Sequence, residues 1–380
     1  MAQSLYIHIP FCDQICSYCD FPKVFTKGQN IDEYLDALIT EIHIYHGTHG
    51  FQNLKTLYIG GGTPTVLSIS QINRLFTTLH SLIDFQNLIE VSIESNPESI
   101  NDAQKIQCLI KQGITRISIG VQTFQDHLLK ILQRSHTKKD VIEVINKLST
   151  YPVEINIDMI YAIPTQTLSE LNDDLDILLS LPLTHISAYS LILEEHTKFY
   201  LYYEKDQLEM VDHDTESDML ETVIHRLKNA DFTHYEISNF TKNKRSYHNE
   251  TYWKNQPYIA VGLGSHGQLD ENGRTRYENT RSINLYKQTL QKNELPISSK
   301  RILTKDEQIE ESMFLGLRLL DGINLHSLSE FYNEDIYRLY EKKINKLKDM
   351  GYIMYDNCHL RLTHQGLMLG NEVFEEFLLD

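Results

Sequence analysis

The chain lacks long apolar runs and an excess of positive charge. No stretch approaches the roughly 18 consecutive apolar residues of a membrane-spanning helix, so we predict that it is not an integral membrane protein. The first residues show neither a basic segment nor an apolar core, so no secretory signal is expected. The 35 basic and 52 acidic residues give a formal net charge of −17. That balance argues against a general nucleic-acid or anionic-membrane surface.

Cysteine is also scarce, with five residues in 380. Two of them, Cys108 and Cys358, stand alone, which does not fit the disulfide framework of a small secreted domain. The other three, Cys12, Cys16 and Cys19, lie within the first twenty residues. Clustered thiols without a disulfide pattern indicate metal binding or catalysis, and we expect a cytoplasmic protein.

The three clustered cysteines follow the spacing C-x3-C-x2-C. Three thiolates on one short loop can hold a metal centre and leave one coordination position open. A cubane iron–sulfur cluster usually takes four cysteines, so here one iron would be free to bind another group. A zinc site is a second reading and would need a fourth ligand, for which His8 or Asp20 could serve. Buried cysteines without any ligand are a third reading.

Strand-like and helix-like patterns alternate over the first two hundred residues, which predicts a parallel sheet covered by helices. About six such units are visible, fewer than the eight of a full barrel. The fold class expected is therefore α/β, an incomplete parallel (β/α)6 barrel or an open doubly wound sheet. Ser70 and Ser169 are predicted helix N-caps. The predicted strands are Leu5–Ile9, Thr56–Ile59, Ile89–Ile93, Thr115–Val121, Val153–Ile160 and Ile186–Leu191.

Beyond residue 200 the pattern changes, and we predict three regions: a partial barrel over 1–230, a connecting region over 231–300 and a small domain over 301–380. In the last region, a predicted helix at Asp335–Met350 precedes two short strands around a turn, as in a winged helix. Residues 301–380 hold nine basic and fifteen acidic residues, which does not fit a DNA-reading surface.

Polar side chains and glycines stand where the predicted strands end. Parallel strands place these ends on one face, where ligands bind. The carboxylates of Glu94 and Asp158 predict a ligand with hydroxyl and ammonium donors, and the glycines predict close contact with its backbone-like part. The residues in question are Gly60–Pro64, Glu94, Gln122, Asp158, Tyr189 and Ser190.

A histidine next to the only tryptophan forms a further feature, His248-Asn249-Glu250-Thr251-Tyr252-Trp253. A histidine among large aromatic residues could bind a haem iron from one side. The alternative is an ordinary packed histidine. His266, in Gly264-Ser265-His266-Gly267, is a second candidate.

Together these motifs resemble the radical S-adenosylmethionine superfamily, and over nearly the whole chain the HemN/HemW group within it. The lead-in Tyr6–Cys12, the cysteine spacing and Gly60–Pro64 carry the likeness. The resemblance implies a [4Fe–4S] cluster on Cys12, Cys16 and Cys19, with S-adenosylmethionine on the open iron. In this superfamily the reduced cluster donates an electron to the sulfonium, and the resulting 5′-deoxyadenosyl radical abstracts hydrogen. The implied S-adenosylmethionine contacts are Tyr6, Tyr18, Gly61, Gly62, Thr63, Glu94, Gln122, Arg134, Asp158 and Ile192.

Within this group, the oxygen-independent coproporphyrinogen III oxidases carry a further cysteine two positions after the third. Here that position is Phe21. Phe21 and the segment from His248 to Trp253 match the HemW branch, which implies a haem chaperone that passes haem to acceptor proteins. His248 is then the expected haem contact, and a membrane respiratory complex is an acceptor that the resemblance suggests. The alternative function is oxidative decarboxylation of coproporphyrinogen III to protoporphyrinogen IX.

Overall fold

The predicted parallel strands form the centre of one large sheet. The structure is a computed structural model that describes residues 2–271 and 273–379. Twelve strands lie in the order β14-β13-β12-β11-β1-β4-β5-β6-β7-β8-β10-β9. The run from β11 to β8 is parallel, and antiparallel strands extend it on both sides. The prediction of six parallel strand–helix units is confirmed, and β11 joins them as an additional parallel strand beside β1.

The strands of the large sheet and of two smaller ones have these bounds: β1 Ser4–Ile9, β2 Phe11–Cys12, β3 Val24–Phe25, β4 Thr56–Gly61, β5 Glu90–Ser95, β6 Arg116–Gln122, β7 Glu154–Tyr161, β8 His185–Ser190, β9 Thr233–Glu236, β10 Asn239–Thr241, β11 Tyr258–Val261, β12 His266–Glu271, β13 Gly273–Asn279, β14 Ile297–Ile302, β15 Ile323–Asn324, β16 Ile353–Asp356 and β17 His359–Leu362.

The α-helices are α1 Ile31–His49, α2 Ile69–Leu82, α3 Ala103–Lys111, α4 Asp126–Ile131, α5 Lys138–Leu148, α6 Leu168–Leu179, α7 Lys198–Tyr203, α8 His213–Asn229, α9 Tyr247–Trp253, α10 Ile283–Leu290, α11 Lys305–Gly316, α12 Leu325–Tyr332, α13 Ile336–Asp349, α14 His364–Met368 and α15 Gly370–Glu375. None of these helices is long and apolar enough to cross a membrane, within the described residues.

Two predicted helix caps are wrong by two residues. The cap of α2 is Ser68, whose side chain accepts from the N–H of Gln71, and Ser70 lies inside the helix. The cap of α6 is Thr167, which accepts from Glu170, and Ser169 likewise lies inside. Both true caps start a capping box, in which the residue three positions on returns a hydrogen bond. Ser68 and Thr167 are preferred as caps because each gains this second hydrogen bond, with Gln71 and Glu170 respectively.

Side chains alternate across the parallel strands and separate an apolar face from a polar one. In β1, Leu5, Ile7 and Ile9 are fully buried in the main apolar core. Tyr6 and His8 point to the opposite face, where they meet each other. We call the space in front of this polar face the lumen, and its end at the strand C-termini the mouth.

The C-terminal region has the helix-and-hairpin arrangement that the sequence predicts. The long helix α13 precedes the antiparallel pair β16 and β17, and β15 joins β17 to complete a three-stranded sheet. This region meets the large sheet at Glu236, which bridges to Leu319. The strands β9 to β13, within the predicted connecting region, are part of the large sheet.

Candidate cofactor site at the barrel mouth

The cysteine loop lies directly on the mouth. Cys12 ends β2, and its carbonyl accepts from the N–H of Thr26 at 2.9 Å, so the two-stranded sheet of β2 and β3 closes the base of the loop. The loop is tied to the barrel at Ser17, whose carbonyl accepts from the N–H of Phe199 at 3.0 Å. Lys23 Nζ donates to the carbonyl of Cys19. Cys16 and Cys19 are therefore held on a loop whose two ends are both fixed.

The glycines after β4 lie against this loop. The N–H of Gly62 donates to the carbonyl of Ile9 at 2.8 Å, and that of Thr63 donates to Phe11 at 2.9 Å. A Cβ on Gly62 would lie 2.7 Å from Sγ of Cys12, closer than real Cβ atoms come. Gly61 has φ of 120°, a conformation that favours glycine. Glycine is thus required here so that the strand end can pack on the cysteine loop.

Glu94 faces the lumen beside these glycines. Its Oε2 accepts from the backbone N–H of Gly61 at 2.9 Å, and its Oε1 accepts from the hydroxyl of Tyr58 at 2.8 Å. Both donors are neutral. Enclosure by the protein raises the pKa of Glu94 to about 7, although part of the side chain is exposed to the lumen. A cationic ligand would supply the missing counter-charge.

Asp158 lies on β7, two strands away from Glu94 in the sheet. Oδ2 accepts from the hydroxyl of Ser118 at 2.7 Å, and Oδ1 accepts from Nδ2 of Asn156 at 2.8 Å. Burial raises its pKa as well. Two carboxylates held mainly by neutral donors therefore face one lumen.

Arg134 joins the cysteine loop to the strand ends. Nη1 lies 3.4 Å from Sγ of Cys16, and Nη2 donates to Oδ1 of Asn96 at 2.6 Å and to the carbonyl of Gly120 at 2.5 Å. Asn96 in turn donates to Oγ1 of Thr63 at 2.9 Å. Nε of Arg134 is buried without a hydrogen-bond partner in the described residues. A cavity of about 120 Å³ opens beside Cys16, with Arg134, Asn96 and Thr63 in its wall.

Four further residues that the resemblance implies as S-adenosylmethionine contacts lie on a strand end, in the lumen, on the cysteine loop and at an exposed position. Gln122 ends β6 at a register shift with φ of 71°, a strained conformation that is common at functional sites. Tyr6 stacks on Tyr58 inside the lumen. Tyr18 lies on the cysteine loop, between Cys16 and Cys19. Ile192 follows β8 and is 66% exposed.

Sequence reasoning missed three residues that organise the site: Asn96, Tyr58 and Ser118. Asn96 directly follows β5, so its position alone could have identified it. Tyr58 and Ser118 lie inside strands. Only the alternation of side chains between the two faces of β4 and β6 could have indicated that they face the lumen.

His248 does not lie at the mouth. It is fully buried at the opposite end of the lumen, where Nδ1 is 2.8 Å from Oγ1 of Thr56 and Nε2 is 2.7 Å from the hydroxyl of Tyr252. Thr56 is at the start of β4, far from the strand ends. In this arrangement both ring nitrogens lie within hydrogen-bond distance of a hydroxyl group.

His266 lies nearer the cysteine loop. A Cβ on Gly264, two residues earlier, would meet the side chain of Pro22 at 2.6 Å, so this segment packs on the loop that carries the cysteines. The His266 side chain is 57% exposed, with Glu278 3.5 Å from Nε2. It is accessible where His248 is not.

The thiols fit an iron–sulfur cluster. Cys12, Cys16 and Cys19 lie within eight residues of one loop, and burial raises the pKa of the Cys12 thiol to about 11. No three His, Cys, Asp or Glu side chains in the described chain converge as they would around a single ion. A four-iron cluster requires a different arrangement, because each cysteine binds a different iron.

Comparison with known proteins gives the family. The Radical SAM superfamily model matches residues 6–178, and the HemN C-terminal domain model matches residues 303–369. The chain is 38% identical to Heme chaperone HemW of Lactococcus lactis subsp. lactis over 99% of this chain and 97% of that one. It is 39% identical to Heme chaperone HemW of Bacillus subtilis over 99% of both. The chain belongs to the HemW family.

A solved structure supports the fold of this HemW family member. Coproporphyrinogen III oxidase (HemN) from Escherichia coli, described as a radical SAM enzyme, superposes with a TM-score of 0.85 at 21% identity. The match covers 99% of this chain and 90% of that one. The superfamily implies a [4Fe–4S] cluster and S-adenosylmethionine, which agrees with the thiols and carboxylates at the mouth.

Proposed function

We propose that the protein is a haem chaperone, which binds haem and transfers it to acceptor proteins. The observation that carries this proposal is the full-length similarity to two bacterial proteins named Heme chaperone HemW. The side chain of Phe21, where the oxidases resembled by this chain have a fourth cysteine, is 59% exposed beside the cysteine loop.

Cys12, Cys16 and Cys19 would hold a [4Fe–4S] cluster, and S-adenosylmethionine would occupy the mouth. When both are bound, they supply one-electron reduction of a sulfonium. The protein's own residues orient the ligand: Glu94 and Asp158 accept from its ammonium and hydroxyl groups, and Gly61 and Gly62 allow its close approach.

For haem we propose His266 as the axial contact, because it is the exposed histidine near the cysteine loop. Neutral imidazole is a common haem ligand. A haem at this position would lie at the rim of the mouth, accessible to an acceptor protein. We also propose that the protein acts in the cytoplasm and meets acceptors of membrane respiratory complexes from there.

The test is an anaerobic comparison of two activities of the reconstituted protein. We expect a haem titration to saturate near one haem per chain. The Soret band should shift in His266→Ala and be retained in the matched variant His326→Ala, which removes another exposed histidine that faces a glutamate. We expect no protoporphyrinogen from coproporphyrinogen III with S-adenosylmethionine and a reductant. Robust decarboxylation of coproporphyrinogen III would refute the chaperone proposal in favour of the oxidase function. An unchanged Soret band in His266→Ala would refute the haem contact.

A further inference from the structure

The helix α9 closes the lumen at the end opposite the cysteines. Its residues contact the starts of the parallel strands: the N–H of Tyr247 donates to Oε2 of Glu90 at 2.9 Å, and His248 and Thr251 reach Thr56 and Ser4. Glu90, Thr56 and Ser4 are the first residues of β5, β4 and β1. The segment that contains His248 is therefore the floor of the lumen.

The hydrogen bonds around His248 fix which ring nitrogen carries the proton. Thr56 donates its single hydroxyl proton to Oγ of Ser4 at 2.7 Å, so Oγ1 of Thr56 must accept from Nδ1–H of His248. Ser4 then donates to Thr251, which donates to the carbonyl of Tyr247 at 3.2 Å. Nε2 is left to accept from the hydroxyl of Tyr252. The single lone pair of the neutral ring is thus occupied.

The face of the same ring supports Tyr58. The ring centroids of His248 and Tyr58 are 5.0 Å apart with an interplanar angle of 29°, a stacked arrangement. Tyr58 also stacks on Tyr6, with ring centroids 6.0 Å apart. In contact with both rings, Tyr58 directs its hydroxyl to Oε1 of Glu94 at 2.8 Å. A continuous set of contacts thus joins the floor to the mouth.

We propose that His248 is a positioning residue for the S-adenosylmethionine site, which acts through Tyr58 on Glu94. Glu94 must accept from the ligand with the lone pairs that Tyr58 and Gly61 leave free, so its carboxylate has to keep one orientation. His248 fixes the plane of Tyr58, and Tyr58 fixes that carboxylate. The inference rests on the proposed binding of S-adenosylmethionine at Glu94. It gives the segment from His248 to Trp253 a role that does not involve contact with haem.

The test measures the Kd for S-adenosylmethionine by calorimetry on the anaerobically reconstituted protein. We expect Tyr58→Phe, which removes one oriented hydrogen bond, to weaken binding by about five- to tenfold. His248→Ala should weaken binding by a similar factor, and His248→Gln, which retains a donor and an acceptor, should recover part of it. His326→Ala serves as the exposed-histidine control and should bind as the unaltered protein does.

A double variant separates positioning from a general structural role. If His248 acts through Tyr58, His248→Gln in the Tyr58→Phe background should add less than about a twofold loss, because the two residues act on the same contact. Losses that multiply would overturn the proposal, and so would wild-type affinity in His248→Ala. A changed haem Soret band confined to the His248 variants would also overturn it, in favour of haem ligation.

Glu94→Gln distinguishes failure of this inference from failure of the proposed function. If Glu94→Gln binds S-adenosylmethionine normally, the ligand is not at Glu94 and the proposed site is wrong. If Glu94→Gln loses binding but Tyr58→Phe and His248→Ala do not, the site stands and the positioning role is wrong. Tyr58→Phe keeps the ring, so it remains informative if His248→Ala does not fold.

Discussion

Nη1 of Arg134 lies 3.4 Å from Sγ of Cys16, in position to donate a hydrogen bond to that sulfur. The same guanidinium holds Asn96 and the end of β6 through Nη2. A half-buried positive charge therefore connects the cysteine loop with the strand ends. Removal of the Arg134 side chain should therefore affect both the proposed cluster and the binding of S-adenosylmethionine.

Arg134→Ala should lower the resistance of the cluster to chelators. A hydrogen bond to a charged partner is worth about 1.5–3 kcal/mol, so the EDTA concentration that removes half of the iron should fall about tenfold or more. Arg74→Ala, which removes a surface arginine paired with Asp36, is the matched control and should behave like the unaltered protein. Equal chelator resistance in both variants would show that Arg134 does not stabilise the cluster.

Cys16→Ala should abolish cluster assembly. Anaerobic reconstitution of the unaltered protein should give about four irons per chain with broad visible absorption, and the variant should retain almost none. Cys108→Ala and Cys358→Ala remove the two isolated cysteines and should assemble normally. One tightly bound zinc per chain in place of iron would contradict the cluster assignment.

Gly62→Ala should impair cluster assembly although no ligand is changed. The added methyl group would meet Sγ of Cys12 at 2.7 Å and the backbone carbonyl of Phe11 at the same distance, so the cysteine loop must move. Gly47→Ala, inside α1, meets nothing within 4 Å and should leave assembly unchanged while stabilising the fold by about 0.4–1 kcal/mol. Iron content and thermal unfolding measure the two effects. Normal iron content in Gly62→Ala would refute the packing argument.

The stability of the protein should fall as pH rises through 7 because of Glu41. This carboxylate is fully buried, accepts from Tyr286 and Asn279, and has a pKa raised by burial to about 7. A raised pKa means that Glu41 holds its proton more tightly in the folded state than in the unfolded state. The stability that this proton contributes is fully present below pH 4.5 and is lost as pH rises through 7.

Glu41→Gln tests this pH dependence. The unfolding free energy of the variant relative to the unaltered protein should rise between pH 5 and 8.5, by on the order of 3 kcal/mol, since the amide does not ionise. Urea unfolding at the two pH values measures it, with Glu33→Gln as a control at an exposed position of the same helix. A difference that does not change with pH would mean that Glu41 titrates normally.

The sequence predicted the parts of the site that depend on strand ends. Glu94, Gln122 and Asp158 could be placed on one face because parallel strands end together, and the cysteine spacing identified the loop. The place of His248 could not be predicted, since α9 enters the floor through contacts with β1, β4 and β5, some 160 to 250 residues away in the chain. The parallel pairing of β11 with β1 is equally non-local.

The central claim, haem delivery, is tested most directly by a transfer experiment. The reconstituted protein is loaded with one equivalent of haem, desalted, and mixed with an excess of a b-type apoprotein that has a distinct Soret band. We predict that the haem stays bound through desalting and then moves to the acceptor, faster with an intact cluster than in Cys16→Ala. Haem that is lost on desalting, or that stays on the protein in the presence of the acceptor, would contradict the account.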